Sequence, residues 1–240
     1  IAGDVNHETA FATARKIFGD WKASDFDPHV KYPIPEFKPL AANEYFVKET
    51  SIAQTPLLLY QWHGPDTRND SVNSIVADVF SGILAQNASK WQQALIDKGL
   101  ATQANVYYST NKYVGPIEIN VLPNPTKLKE CVVEVNRQIA MMGSPDYFTD
   151  EQLETAKQTI RRNNIRESEK PSWIPSVVTY WWCSGSLDYF FNYVNACGAV
   201  TKTQLADYAN KYLVNKPHVA GLVINKEMNE SIKPSTFFKY

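Results

Sequence analysis

Residues 55–83, TPLLLYQWHGPDTRNDSVNSIVADVFSGI, decide the fold. Thr55–Trp62 is a short, continuous apolar run, which reads as a strand buried on both faces. Behind it, Val72, Ile75, Val76, Val79, Phe80 and Ile83 recur at i, i+3, i+4, i+7, i+8 and i+11. That period puts them on one face of a helix, with Asn69 or Asp70 as its N-cap.

Toward the N-terminus, Glu44–Lys48 reads as a short strand. Before it, residues 23–41 form a connector. Pro28, Pro33, Pro35 and Pro39 lack donors and fix φ, so neither a helix nor a central strand can run through them. Further back, Phe11, Ala14, Ile17 and Phe18 mark an amphipathic helix that stops at Gly19-Asp20-Trp21. Ile1-Ala2-Gly3-Asp4-Val5 reads as the end of a strand leading into it. Residues 1–22 therefore read as the terminal strand and helix of a preceding domain, and residues 42–240 as a second unit held nearly whole. The chain reads as a piece of a longer tandem protein.

Toward the C-terminus, a helix near Ser89–Lys98 ends at Gly99, a fitting C′ glycine. Strands near Thr102–Ser109 and Val114–Leu122 flank a polar turn at Thr110–Lys112. Helices follow. Lys127–Ala140 carries Leu128, Cys131, Val132, Val135 and Ile139 on one stripe. Thr149-Asp150-Glu151-Gln152 is a capping box opening a helix that runs to about Glu167. Ser172–Cys183 and Ser186–Ala196 are aromatic-rich helices. Thr201-Lys202-Thr203-Gln204 is a second capping box, with Leu205, Tyr208, Ala209 and Tyr212 behind it. Val219–Ile224 is the last strand. Two strands, two helices, two strands, several helices and one strand favour an α+β fold: a layered, antiparallel-rich sheet covered by helices.

Composition narrows the function classes. The 240 residues carry a net charge of −1, with 44% apolar and 20% charged residues. Such a chain has no global basic field to draw nucleic acid or anionic lipid. No apolar run approaches the roughly 18 residues of a membrane span. Cys131, Cys183 and Cys197 form no CxxC, and their odd number argues against a disulfide framework. They read as small buried apolar side chains.

Residue chemistry assigns no catalytic, cofactor-binding or metal site. His7, His29, His63 and His218 share no HxxEH, HxxxH or Cys/His spacing, so surface or strand-end roles suit them better than zinc. There is no GxSxG, P-loop or GxGxxG. Arg161, Arg162 and Arg166 suit the C-terminal turns of a helix, where cations complement the dipole. That reading is plainer than an anion site. Trp173, Trp181, Trp182, Tyr189, Phe190, Phe191 and Tyr193 could stack on bases or sugars, but their helical spacing favours packing in the core.

Four phrases, in order, carry a family resemblance. Gly3-Asp4-Val5 with a helix ending Phe18-Gly19-Asp20-Trp21 resembles the closing strand and helix of a domain in pitrilysin/insulinase-type zinc peptidases. Lys90-Trp91-Gln92-Gln93-Ala94-Leu95-Ile96-Asp97-Lys98-Gly99-Leu100-Ala101-Thr102 is similar to that family's helix-to-strand signature. Phe148–Lys157 resembles its helix start, and Val200–Leu205 with Lys211-Tyr212-Leu213 its late helix. The resemblance implies a mitochondrial-processing-peptidase-like metallohydrolase fold, shared with cytochrome complex core proteins. It also implies a division of labour. One domain carries HxxEH and the zinc. Partner domains carry no metal and close a chamber around an unfolded peptide.

Here the helix in the place of the metal helix, Val72–Leu84, offers Asn73, Ser74, Asp78 and Ser81, with neither His nor Glu. The resemblance thus implies a non-catalytic domain with no cofactor of its own, zinc being expected in the catalytic domain of the parent. Its partners would be that catalytic domain, in the same or another chain, and an unfolded peptide. Many relatives lend an Arg and, seven residues on, a Tyr to the other half. The matching positions are Leu95 and Thr102, which cannot donate in that way. A bacterial envelope or periplasmic location is the lean of the resemblance. Two rivals stand beside this reading: a scaffold domain of a wholly inactive homologue, like the core subunits, and an independent enzyme using an unrecognised carboxylate or Cys. Finally, the apolar stripe of residues 11–18 is expected to dock on the second unit or on a neighbouring copy.

Overall fold

The apolar run that opens the reading becomes the central strand of a five-stranded sheet. The computed structural model describes residues 1, 4–170 and 172–238. Strands β1 (Glu44–Glu49), β2 (Leu57–Gly64), β3 (Ala101–Tyr108), β4 (Gly115–Pro123) and β5 (Val219–Ile224) stand in the order β1-β5-β2-β4-β3. β1 runs parallel to β5, and the other pairings are antiparallel. Around the sheet lie α1 (His7–Phe18), α2 (Pro28–Lys31), α3 (Ser71–Leu84), α4 (Lys90–Gln92), α5 (Leu128–Met141), α6 (Asp150–Ser168), α7 (Trp173–Ser184), α8 (Leu187–Ala199), α9 (Lys202–Tyr212) and α10 (Lys226–Ile232).

Side chains alternate across a strand, and here only one face is covered. Leu58, Tyr60 and Trp62 of β2, Ile117, Ile119 and Val121 of β4, and Ala220, Leu222 and Ile224 of β5 point into the core. They meet Val76, Val79, Phe80 and Ile83 of α3, with α5 and α9 completing the layer. Phe80 packs on Phe148 and Tyr208, at ring distances of 5.7 and 5.0 Å. Each large side chain buried in this way contributes roughly 1.5–3 kcal/mol.

The other face corrects the expectation that β2 is buried on both sides. Leu57 and Leu59 are half-buried, and Gln61 and His63 are exposed. The core helices α3, α5 and α9 pack on the opposite face, while the connector residues Ile34, Phe37 and Leu40 only border a cavity beside Gln61 and His63 on this one. On it the Phe46 ring lies across Gly221, where a Cβ would come within 2.2 Å of the ring.

Local signals are realised where their chemistry is self-contained. Asp70 is the cap of α3, its side chain accepting from the Asn73 N–H at 3.2 Å. Both capping boxes form, Thr149 with Gln152 and Thr201 with Gln204. α4 widens into a π-turn over Gln93–Asp97, and Gly99 follows at φ +64°, in the left-handed region.

Elsewhere the structure departs from the reading. Asp4 and Val5 belong to no strand, and none of the described strands pairs with them; Ala2 and Gly3 lie outside the described residues. The connector holds one helical turn, α2, because Pro28 sits at its N1 position, where a missing N–H costs nothing. No residue of α1 is buried, and Phe11 is 71% exposed, so the stripe does not dock on the second unit. Of the aromatic helices, α7 buries none of its residues and α8 reaches the core through Tyr193 and Cys197, while their outer sides stay in water: Trp182 is 71% and Phe191 68% exposed. Their rings instead pair with each other, Trp173 with Phe190 at 5.6 Å and Trp181 with Tyr189 at 4.9 Å. Helical spacing shows that a face is apolar, not that the face is covered. Cys131 and Cys197 are buried, but Cys183 is exposed on the same outer hairpin.

Candidate functional site

α3 is the helix that the family resemblance puts in the place of the metal helix. Its apolar stripe is locked onto the sheet, which fixes where Ser74, Asp78 and Ser81 sit. Asp78 accepts a hydrogen bond from the Tyr193 hydroxyl of α8 at 2.8 Å. The Tyr108 hydroxyl of β3 lies between Ser74 Oγ at 2.9 Å and the Pro65 carbonyl at 3.0 Å. Asp78 as a residue is only half-buried, but its carboxylate is crowded by protein, and that crowding governs its titration. Burial pushes its pKa up to about 6, against the opposing pull of the Tyr193 hydrogen bond. Burial likewise raises the Tyr108 hydroxyl and the Cys197 thiol to about 12 each. At neutral pH this thiol is no nucleophile.

These residues do not fit zinc. A tetrahedral site needs three or four N, S or carboxylate ligands converging within about 2.0–2.3 Å of the ion. α3 offers one carboxylate, already engaged by a tyrosine, and no imidazole. Among the described residues no group of three His, Cys, Asp or Glu side chains could hold a metal. The four histidines stand on separate elements. His7 and His29 are exposed on α1 and α2, and His63 is exposed near the end of β2. His218 precedes β5, with its ring against Tyr60 and Trp62 at 5.5 and 5.0 Å. Its Nδ1–H donates to the Lys216 carbonyl at 3.0 Å, which fixes the neutral tautomer, and burial lowers its pKa.

The N-terminus of α3 opens on a cavity of about 650 Å³. The connector residues Ile34, Phe37 and Leu40 line one side of it, and His63, Asp66 and Lys211 another. Asp70 stands beside this cavity, bound by the Lys211 ammonium and the Tyr212 hydroxyl, each at 2.5 Å. Burial raises its pKa, but these donors and Asn73 outweigh burial and leave it below the usual carboxylate range.

Leu95 and Thr102 are far apart in character. Leu95 is fully buried in the π-turn. Thr102 is exposed at the start of β3, with its hydroxyl donating to the Leu122 carbonyl at 3.4 Å. The pairing of Asp78 with Tyr193 escaped the sequence reading. Its one available signal was an acid on an otherwise uncharged helix; nothing local pointed to a partner 115 residues away.

The sequence profile of the Peptidase M16 inactive domain matches residues 1–160. The chain belongs to that family. No curated protein sequence matches it. Among solved structures, a protease from Helicobacter pylori superposes with a TM-score of 0.77 at 17% identity, over 93% of this chain and 54% of that one. A peptidase M16 inactive domain from Pseudomonas fluorescens gives 0.65 at 16% identity, over 93% and 52%. The periplasmic protease PqqL from Escherichia coli gives 0.63 at 15% identity, over 93% and 25%. At such identities the likeness establishes the α+β fold of the M16 inactive domain. The chain spans about half the length of the first solved structures it matches. Among the described residues, no helix is long and apolar enough to cross a membrane.

Proposed function

We propose that this M16 inactive domain is a wall of a split peptidase chamber. It packs beside a zinc-bearing catalytic domain, in the same chain or a partner chain, and helps to hold an unfolded peptide. The observation that carries the reading is α3: a helix in the metal position whose Ser74 and Asp78 are tied to tyrosines and which offers no ligand set. No residue of this chain takes a catalytic or metal-binding role in the proposal. Residues 1–22 belong with a preceding domain, residues 23–41 are the connector, and residues 42–240 are the inactive domain proper. The exposure of α1 supports that division. The periplasmic setting of PqqL supports a bacterial envelope location.

The test is zinc content and peptide hydrolysis, with and without chelator, for this chain alone and for the parent protein. Zinc and chelator-sensitive cleavage in the parent only are the expected result. A parent that is metal-free and inert overturns the chamber reading, and zinc bound by the chain alone overturns the assignment of α3.

A further inference from the structure

We propose that the groove between α6 and α8 binds a short peptide segment carrying acidic side chains beside an apolar one. α8 packs against α6, and a concavity of about 400 Å³ sits on their seam; a second, of about 500 Å³, continues it along the exposed side of α6, and the two share Gln158 and Arg161. On the α6 side the groove presents Lys157, Arg161, Arg162 and Arg166 against two carboxylates, Glu154 and Glu169. It is therefore a cationic feature on a chain whose net charge is −1.

Its cations are uncommitted. Lys157, Arg161 and Arg162 make no ion pair among the described residues, and Arg162 reaches only the Thr159 hydroxyl, at 3.2 Å. Glu154 accepts from Gln158 at 2.7 Å. The plain role of helix-end cations, complementing the dipole, does not need the earlier ones: Arg161 lies seven residues before the end of α6, and the dipole effect fades within the last turn.

The opposite wall is uncharged and open. Val194, Asn195 and Gly198 of α8 line it, and a Cβ on Gly198 would meet nothing within 4 Å. Phe191, one turn earlier on the same face, is 68% exposed, and Ile165 on α6 is 53% exposed. The cations of α6, with Ile165 exposed among them and Phe191 exposed on the facing helix, complement an acidic segment with an apolar anchor. From Lys157 to Arg166 the helix rises about 14 Å, the length of roughly four extended residues. Guanidinium groups favour carboxylates through two-pronged hydrogen bonds.

The groove belongs to this chain alone, so binding is read without peptidase activity and stands or falls separately from the chamber reading. Fluorescein-labelled hexapeptides with Glu flanking Leu or Phe, and the same peptides with Gln for Glu, are titrated with the full chain by anisotropy at two salt concentrations. The acidic peptide is expected to bind at least tenfold tighter than its Gln counterpart, with the advantage shrinking at higher salt. The double variant R161Q/R162Q should abolish that advantage, while R161K/R162K keeps most of it. Both are exposed changes, and circular dichroism checks that the helices remain. Equal binding of the Glu and Gln peptides overturns the proposal. So does an unchanged advantage in R161Q/R162Q, or tighter binding to a DNA oligonucleotide or to phosphatidylglycerol vesicles than to the acidic peptide.

Discussion

Replacing Leu95 with Arg separates two readings of one position. The family resemblance pairs Leu95 with a residue that many relatives supply as an outward-reaching Arg, whereas here it is fully buried beneath the π-turn. Removing a buried leucine costs about 2–5 kcal/mol through lost contacts and the cavity left behind. An unpaired guanidinium in its place adds several kcal/mol of desolvation, only partly offset by the aliphatic stem of the Arg. Against a total stability of about 5–15 kcal/mol, L95R should be unfolded or nearly so in water at 25 °C. L95M keeps the volume and should lose less than about 1.5 kcal/mol. T102Y, at an exposed position, should stay within about 0.5 kcal/mol of the parent. Urea unfolding followed by tryptophan fluorescence reads all three. Trp91 is a built-in reporter, one helical turn before Leu95 and fully buried, with its indole N–H donating to the Ala104 carbonyl at 2.9 Å. An L95R protein whose urea midpoint matches the parent would place Leu95 at the surface and refute both the burial and the register.

Other outcomes follow from the same structure. Asp78 titrates near pH 6 in the folded protein and near 3.8 when unfolded, so the folded state holds its proton more tightly. Stability from that proton is complete below about pH 4 and is lost as the pH rises through 6, a penalty on the order of 3 kcal/mol at pH 7. D78N should remove this slope in denaturation curves taken between pH 4 and 7; a slope unchanged in D78N would mean that another group causes it. Deleting residues 1–22 should leave the melting temperature of the remainder within about 2 °C, because α1 buries nothing on it; a large drop would show that α1 docks after all. T149A and T201A should each cost about 1 kcal/mol by removing a cap, and a cost near zero in chemical denaturation would show frayed helix starts.

What could be read in advance was whatever a short stretch determines by itself. The 3.6-residue period of α3, the two capping boxes and the polar turn between β3 and β4 are each signalled within a few residues. The insertion of β5 between β1 and β2 is different. It joins Ala220 to Tyr45 on one side and to Tyr60 on the other, across most of the chain, and no local spacing encodes it. Burial was the least legible property. Thr55–Trp62 has the composition of a strand covered twice and is covered once. α7 has the composition of a core helix and buries none of its residues. At the site, the missing His and Glu on α3 were plain in the sequence, but the tyrosines closing on Ser74 and Asp78 come from β3 and α8 and needed the fold to be seen.

Those misplaced apolar surfaces share a physical logic. Asp188 is the only Asp, Glu, Lys or Arg between Lys170 and Lys202, in a chain that is 20% charged. The α7–α8 hairpin nevertheless leaves Ile174, Trp182 and Phe191 in water. The uncovered sheet face sets Phe46 beside Leu57 and Leu59, and α1 exposes Phe11 and Ile17. Contiguous apolar patches are costly to leave wet, and charge depletion with aromatic enrichment is the signature of an interface core. A protein that worked alone would gain by placing Lys or Glu at these positions, as ordinary solvated helices do. Three such surfaces support the proposed role, since a chamber wall would be covered on several sides.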